Sequence, residues 1–327
     1  MYQMMSLPLY SGTFQEYDSW RDLGQELERL GCDGIEGVWG GEDLPKDLPA
    51  ELILGYHLIF YPDWLDFYRD DRAALKQKFG SLEAVASFYG GLGPDTLLEQ
   101  YRADLRRVNL GARYVVFHVS DVSLEEGYTY RWLHTNQEVI DAAVEVVNLI
   151  LGEERWPFEF LVENQWWPGF TFTEPEETAR LLEGIRFAGK GILLDTGHLM
   201  NACTELKTEA EGADYIRSML NRHGSLAKWV RGVHLHQSLS GAYVKAHTGS
   251  LPAGLPEDYM ERFGVSYQHI LQIDQHRPWT DPAILPVLEQ IEPRYLTHEL
   301  SSRGRMARAE AVSVQTRLLQ QGGRMRV

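Results

Sequence analysis

Two hydrophobic rhythms alternate along the chain. Short runs rich in β-branched and aromatic residues fall at 7–10, 34–38, 52–60, 114–119, 158–163, 191–195, 232–236 and 295–299, and read as strands. Between most of them lie amphipathic stretches with apolar residues at helical spacing. In 14–30 these are Leu23, Leu27 and Leu30; in 96–109 they are Leu97, Leu98, Tyr101 and Leu105. Residues 136–151 form a third such stretch, with Thr135 or Asn136 as its cap, and 174–187 opens on Thr173-Glu-Pro-Glu, an N-cap with proline in the first turn. Segments 208–222, 281–290 and 305–319 complete the set.

Strands alternating with helices predict parallel βαβ units, and eight strands predict a closed α/β barrel of the (β/α)8, or TIM, type over residues 1–327 as one domain. An open doubly wound sheet is the alternative. It requires a glycine-rich phosphate loop between an early strand and its helix, and neither Gly40-Gly41 nor Gly90-Gly91-Leu-Gly93 completes that pattern. Two connections are long. Residues 61–110, after the third strand, carry extra helical segments at 63–78 and 81–89, and 241–279, after the seventh, is rich in Gly, Pro and aromatics. Both insertions leave the C-terminal ends of strands, where barrels build their sites.

Composition narrows the class. The chain of 327 residues has 44% hydrophobic and 24% charged residues, which fits a folded protein. Its 47 acidic against 31 basic side chains give a net charge of −16. That balance argues against nucleic acid or an anionic membrane as partner. The basic stretch 303–326 reads as a solvated last helix and tail. Two cysteines, no signal-like N-terminus and no long apolar run point to a cytoplasmic protein.

The chemistry collects at strand ends. The third strand ends on His57, the fourth on His118, the fifth on Glu163-Asn164 and the sixth on Asp195-Thr-Gly-His198; the seventh carries His234 and His236, and the eighth ends on Glu299. Six consecutive strands thus bring metal-competent side chains to one mouth. Period-2 alternation puts His234 and His236 on one face and turns His298 away from the face of Glu299, so His298 reads as structural. Three carboxylates converging on one mouth call for a divalent cation. Trp166 and Trp167 follow Glu163 closely; they read either as an apolar wall for a substrate or as loop packing.

The segments Val162-Glu-Asn164, Leu194-Asp-Thr-Gly-His198, Val233-His234 and His298-Glu299 resemble the xylose isomerase-like TIM barrels, a superfamily of sugar isomerases and epimerases together with the AP endonuclease family 2 enzymes. The resemblance implies a metal site of Glu163, Asp195, His234 and Glu299, with Glu163 and Glu299 also shuttling protons. It implies a second-metal or substrate-binding role for His57, His118, His198, His236 and His247. Mn²⁺, Mg²⁺ or Co²⁺ is the expected cofactor for one oxygen-rich site, Zn²⁺ if more than one metal is bound. The implied activity is an isomerase or epimerase acting on a small sugar-like substrate, with an AP endonuclease-like phosphoesterase, a lyase or dehydratase, or a metal-binding non-enzyme as alternatives. The nuclease branch carries an Asp-Arg-His element after strand 7. Its expected counterpart is Lys245-Ala-His247, where a lysine replaces the carboxylate. The epimerase branch has a Glu and an Arg where this chain has Gly169 and Ser240.

Overall fold

In the computed structural model, which describes residues 1–108 and 111–322, eight parallel strands close into a barrel in sequential order. They are β1 (Tyr2–Leu9), β2 (Gly34–Trp39), β3 (Ile53–His57), β4 (Tyr114–His118), β5 (Glu159–Glu163), β6 (Lys190–Asp195), β7 (Val230–His234) and β8 (Tyr295–His298). The fold is the expected (β/α)8 barrel. β1 begins earlier than its hydrophobic run predicts, because Tyr2 to Met5 pair with Tyr295 to His298 to close the ring.

Strand alternation divides the core in two. Met4, Tyr114, Val116, Leu161, Leu193 and Tyr295 meet inside the barrel. Their sequence neighbours Val115, Phe117, Phe160, Val162, Ile192 and Leu194 face the helical layer. Tyr114 fits because β3 offers a glycine beside it: a Cβ on Gly55 would collide with the Tyr114 ring.

The helices are set by local chemistry. Ser19 caps Trp20–Leu30 through the Asp22 amide, and Gly31, at φ +74°, ends it. Thr135 and Glu138 form a capping box at the start of Asn136–Leu151, as Thr208 and Glu211 do for Glu209–His223. Three long helical readings break. The first divides into Ser11–Phe14 and Trp20–Leu30. Residues 63–78 divide into Leu65–Tyr68 and Arg72–Phe79 around Asp70, whose positive φ of +52° no helix accommodates. Residues 281–290 begin as a 3-10 turn, Pro282–Ile284, before Leu285–Ile291. The helix read at 96–109 starts earlier, at Pro94, and runs to Val108; Asn109 and Leu110 lie outside the described residues, as does the end of the basic tail. The excursion after β7 contains two helices that hydrophobic periodicity does not reveal, Gly241–His247 and Tyr259–Ile273. No helix among the described residues is long and apolar enough to cross a membrane.

Candidate metal centre

The alternation that fills the barrel also builds the site. On β4, Tyr114 and Val116 point inward, and His118 is next on that face. On β5 Leu161 leads to Glu163, on β6 Leu193 to Asp195, and on β8 Tyr295 and Thr297 to Glu299. Parallel register then sets His118 beside Glu163, and Asp195 beside His234. The ligand-type residues therefore form a layer directly above the hydrophobic plug.

Three groups of potential ligands result, and Glu163 belongs to two. His57, His118 and Glu163 form the first; Glu163, Asp195, His234 and Glu299 the second; His198, His236, Asp274 and His276 the third. Glu163 Oε2 lies 2.9 Å from His118 Nε2 and 3.3 Å from His57 Nε2, while Oε1 lies 3.2 Å from His198 Nδ1 and 3.4 Å from His234 Nδ1. Glu299 Oε2 is 2.9 Å from His234 Nδ1. In the third group Asp274 Oδ2 approaches His276 Nε2 at 2.6 Å and His198 Nε2 at 3.3 Å, and the His236 and His276 rings stack at 4.0 Å.

The surroundings hold these groups in place. Asn164 and Asp195 clasp the ends of β5 and β6: the Asn164 side-chain amide donates to the Asp195 carbonyl, and the Asp195 amide donates to Asn164 Oδ1. Asp195 Oδ1 caps the short helix Thr196–Asn201 by accepting from the His198 amide at 2.6 Å. Gly197 is required by close approach, since a Cβ there would collide with His236 Cε1.

Electrostatics match a site built for cations. Burial works against ionising Glu163, yet the His118 and His234 imidazoles outweigh it and hold the carboxyl well below its ordinary range. Asp195 is likewise buried, and His198 and His236 hold it low. Burial disfavours charging His234, but Glu299, Glu36 and Glu163 raise it well above the ordinary value. His276, buried beside Asp274 and Glu299, rises to about 9. Asp274 Oδ1 is buried with no hydrogen-bond partner among the described residues, and the Glu163 oxygens, His234 nitrogens and Glu299 Oε2 meet their neighbours as ion-pair contacts without hydrogen-bond geometry. Such atoms are costly unless paired. Nitrogen and oxygen donors in overlapping groups of three and four fit divalent cations, and the imidazole-rich first and third groups suit zinc.

The sequence-predicted residues His57, His118, Glu163, Asp195, His198, His234, His236 and Glu299 all fall in these groups. His247 does not. It lies on Gly241–His247 with its ring against Tyr243 at 4.3 Å, and Lys245 on the same helix pairs at the surface with Glu205 at 2.7 Å. The Asp-x-His element that reaches the site is instead Asp274-Gln275-His276, which follows Tyr259–Ile273. Closeness in sequence to β7 favours Lys245-Ala-His247, but the intervening helix carries the chain back to the mouth only later. His298 sits behind the strand layer, bonded to Gln315 and Gln3. Trp166 and Trp167 are buried, line a cavity beside the site, and pack with Val122, Val244 and Ile273.

Compared by sequence, no family model and no curated protein matches the chain. Solved structures do match by shape. An L-ribulose 3-epimerase is 14% identical with a TM-score of 0.53, covering 99% of this chain and 96% of the other. A D-tagatose 3-epimerase-like protein is 14% identical with a TM-score of 0.51, covering 99% and 98%. Endonuclease IV from Thermus thermophilus is 17% identical with a TM-score of 0.50, covering 98% and 100%. All three are xylose isomerase-like TIM barrels, and this chain has their fold. At these identities the likeness speaks to the fold alone.

Proposed function

We propose that this chain is a divalent-metal-dependent hydrolase of phosphate esters, acting on a compact substrate rather than a polynucleotide. The observation that carries this reading is the third group. His198, Asp274 and His276 complete a set in which Glu163 is shared between two neighbouring groups, and adjacent cations suit displacement at phosphorus. The lysine that would repel a third cation lies elsewhere, paired with Glu205. Cations held by these groups would supply Lewis acidity toward a phosphoryl oxygen and would acidify bound water. The protein's own contribution is placement. Glu163 spans the first two groups with its two oxygens, and Gln165 Nε2, 3.0 Å from His198 Nδ1, fixes that ring. Glu299, the most open carboxylate of the second group at 17% side-chain exposure, is placed to accept a proton from an incoming nucleophile. A partly enclosed, largely aromatic cavity of about 310 Å³ adjoins the site; together with the net charge of −16 it favours a small substrate.

The second reading is the isomerase or epimerase expected from the sequence. It is favoured by Glu163 and Glu299 standing in one group with Asp195 and His234, so that one cation and two carboxylates could serve proton transfer next to a ketose carbonyl. Elemental analysis combined with hydrolysis of bis(p-nitrophenyl) phosphate tests the choice. Two or three bound metal equivalents and hydrolysis that chelator abolishes support the hydrolase. One equivalent, no hydrolysis, and solvent-deuterium exchange into a ketose that Glu163→Gln and Glu299→Gln both abolish would overturn it in favour of the isomerase.

A further inference from the structure

Proximity gathers four side chains into the third group, but two of them cannot hold the same cation. The His236 and His276 rings lie 4.0 Å apart with their planes 9° from parallel. An imidazole directs its lone pair within its own plane, and a zinc–nitrogen bond spans only about 2.0–2.1 Å. A cation in the plane of one ring is therefore out of reach of the other. Hydrogen bonds decide which ring is the ligand. His276 Nδ1 lies 3.1 Å from the Glu299 carbonyl, which can only accept, so the proton is on Nδ1 and the Nε2 lone pair turns to the group, 2.6 Å from Asp274 Oδ2. That is the pattern of a ligating imidazole. His236 has the opposite one. Its ring passes over Gly197, where a Cβ would collide with Cε1 and Nδ1, and Nδ1 has no hydrogen-bond partner among the described residues. A proton there would be an unsatisfied buried donor. It belongs instead on Nε2, which donates to Asp195 Oδ2 at 2.8 Å.

Asp195 is thereby held at both oxygens. Oδ1 accepts from the His198 amide at 2.6 Å and Oδ2 from His236, and Oδ2 also lies 3.7 Å from His234 Nδ1 within the second group. His236 is itself fixed. It is fully buried, its carbonyl accepts from Trp279 Nε1 at 2.8 Å, and its amide donates to Thr196 Oγ1 at 3.2 Å. One face of the ring thus rests on His276 of the third group while its edge grips Asp195 of the second. Without His236 the third group keeps His198, Asp274 and His276, three protein donors, the number found in sites with an open position. His198 and Asp274 also line the adjoining cavity.

We propose that His236 is a positioning residue and not a metal ligand: its Nε2–H holds Asp195 in place for a cation in the second group. This role rests on the reading of these residues as a cation centre, whichever reaction the centre performs. The full chain and its His236→Gln and His236→Phe variants are titrated with Co²⁺, reading visible absorption and competition with a chromophoric chelator. Glutamine places a donor near the position of Nε2, whereas phenylalanine keeps a ring on His276 and removes the donor. NMR of the zinc-loaded wild type, labelled with ¹⁵N-histidine, reads which imidazole nitrogens carry protons, and decides ligation even if His236→Phe does not fold. The expected result is a proton on His236 Nε2 and the same number of Co²⁺ equivalents in all three proteins at saturation. Affinity should fall about 10- to 100-fold in His236→Phe and by less than about threefold in His236→Gln. An unprotonated Nε2, or one equivalent lost in His236→Phe, would make His236 a ligand and overturn the proposal. Affinity kept by His236→Phe and lost by His236→Gln would reduce the residue to packing and overturn it too. Wild-type Co²⁺ uptake that both variants leave unchanged would overturn it alone, whereas a wild type that takes up no cation would overturn the metal-dependent reading with it. The expected ranking without hydrolysis of bis(p-nitrophenyl) phosphate would remove the hydrolase and leave His236 in its role.

Discussion

Glu36 Oε1 lies 2.8 Å from His234 Nε2, beneath the candidate metal centre and inside the barrel, where both side chains are fully buried. Glu36 Oε2 accepts from the Tyr114 hydroxyl at 2.5 Å and from Thr297 Oγ1 at 2.9 Å. A carboxylate at Nε2 keeps the proton on that nitrogen and turns the Nδ1 lone pair toward Glu163, Asp195 and Glu299, the arrangement a ligating imidazole needs. Glu36→Gln keeps the size and the bonds to Tyr114 and Thr297 but removes the charge behind the ring. Metal affinity, measured by competition with a chromophoric chelator, should fall about 10- to 100-fold with the barrel still folded. Unchanged affinity would mean that Glu36 only fills the core.

The third group gives a second prediction. Asp274→Asn should lower the bound metal by about one equivalent, and His276→Ala should do the same, whereas Lys245→Ala and His247→Ala should leave the metal content at the wild-type value. Elemental analysis after dialysis reads all four. Metal loss in the Lys245 or His247 variants, with none in the Asp274 and His276 variants, would restore the assignment made from sequence proximity.

How far the sequence reveals this site depends on where each residue lies. Residues at strand ends are legible because period-2 alternation and a strand's C-terminal end together give both facing and height; His57, His118, Glu163, Asp195, His234 and Glu299 follow from that. Glu36 lies mid-strand, where alternation reports only that it faces inward, and no strand pattern distinguishes a buried carboxylate serving a histidine from one misread as a surface residue. Asp274 and His276 sit in an irregular turn after a helix that periodicity does not reveal, so their height above the barrel is set by tertiary packing. Asp70 shows the same limit in the fold: a single positive φ breaks a segment whose apolar spacing reads as one helix. Gly197 is visible inside the Asp-Thr-Gly-His motif, but its reason, the His236 ring crossing where a Cβ would stand, exists only in three dimensions.

Asp104 joins the helix Pro94–Val108 to the end of β3 and hence to His57. Its carboxylate accepts from the Tyr56 hydroxyl at 2.6 Å and from the Ile59 amide at 2.7 Å, and it is fully buried. Asp104→Ala leaves the buried Tyr56 hydroxyl and the half-buried Ile59 amide unpaired, at a cost of about 1–3 kcal/mol in unfolding free energy. Urea denaturation checks this. A loss under about 0.5 kcal/mol, the usual surface value, would show that neither donor depends on Asp104.

His134 supplies a pH-dependent contribution to stability away from the candidate metal centre. Its Nε2 lies 3.2 Å from Asp66 Oδ1 and 3.8 Å from Asp121 Oδ2, and Lys78, the other charge facing it, is held by Asp63 and Asp66 at 2.7 Å each. The Asp66 carboxylate beside it raises the imidazole above its ordinary value against the opposing effects of burial and of Lys78. Asp66, despite burial, is drawn down to about 2 by His134 and Lys78. A raised folded value means that the folded state holds the proton more tightly than the unfolded chain does. The stabilisation is therefore complete below the unfolded histidine value of about 6.5 and is lost as pH rises through the higher folded value. Asp66 stays ionised throughout that window; Asp63, which burial pushes up to about 7, titrates within it in both proteins, so only the difference between the two profiles reports the histidine. His134→Asn should accordingly lower Tm more at pH 5.5 than at pH 8.5, and subtracting the two profiles cancels the titration of the metal-centre histidines, which both proteins share. A penalty that is equal at the two pH values would show that His134 acts through packing and not through its charge.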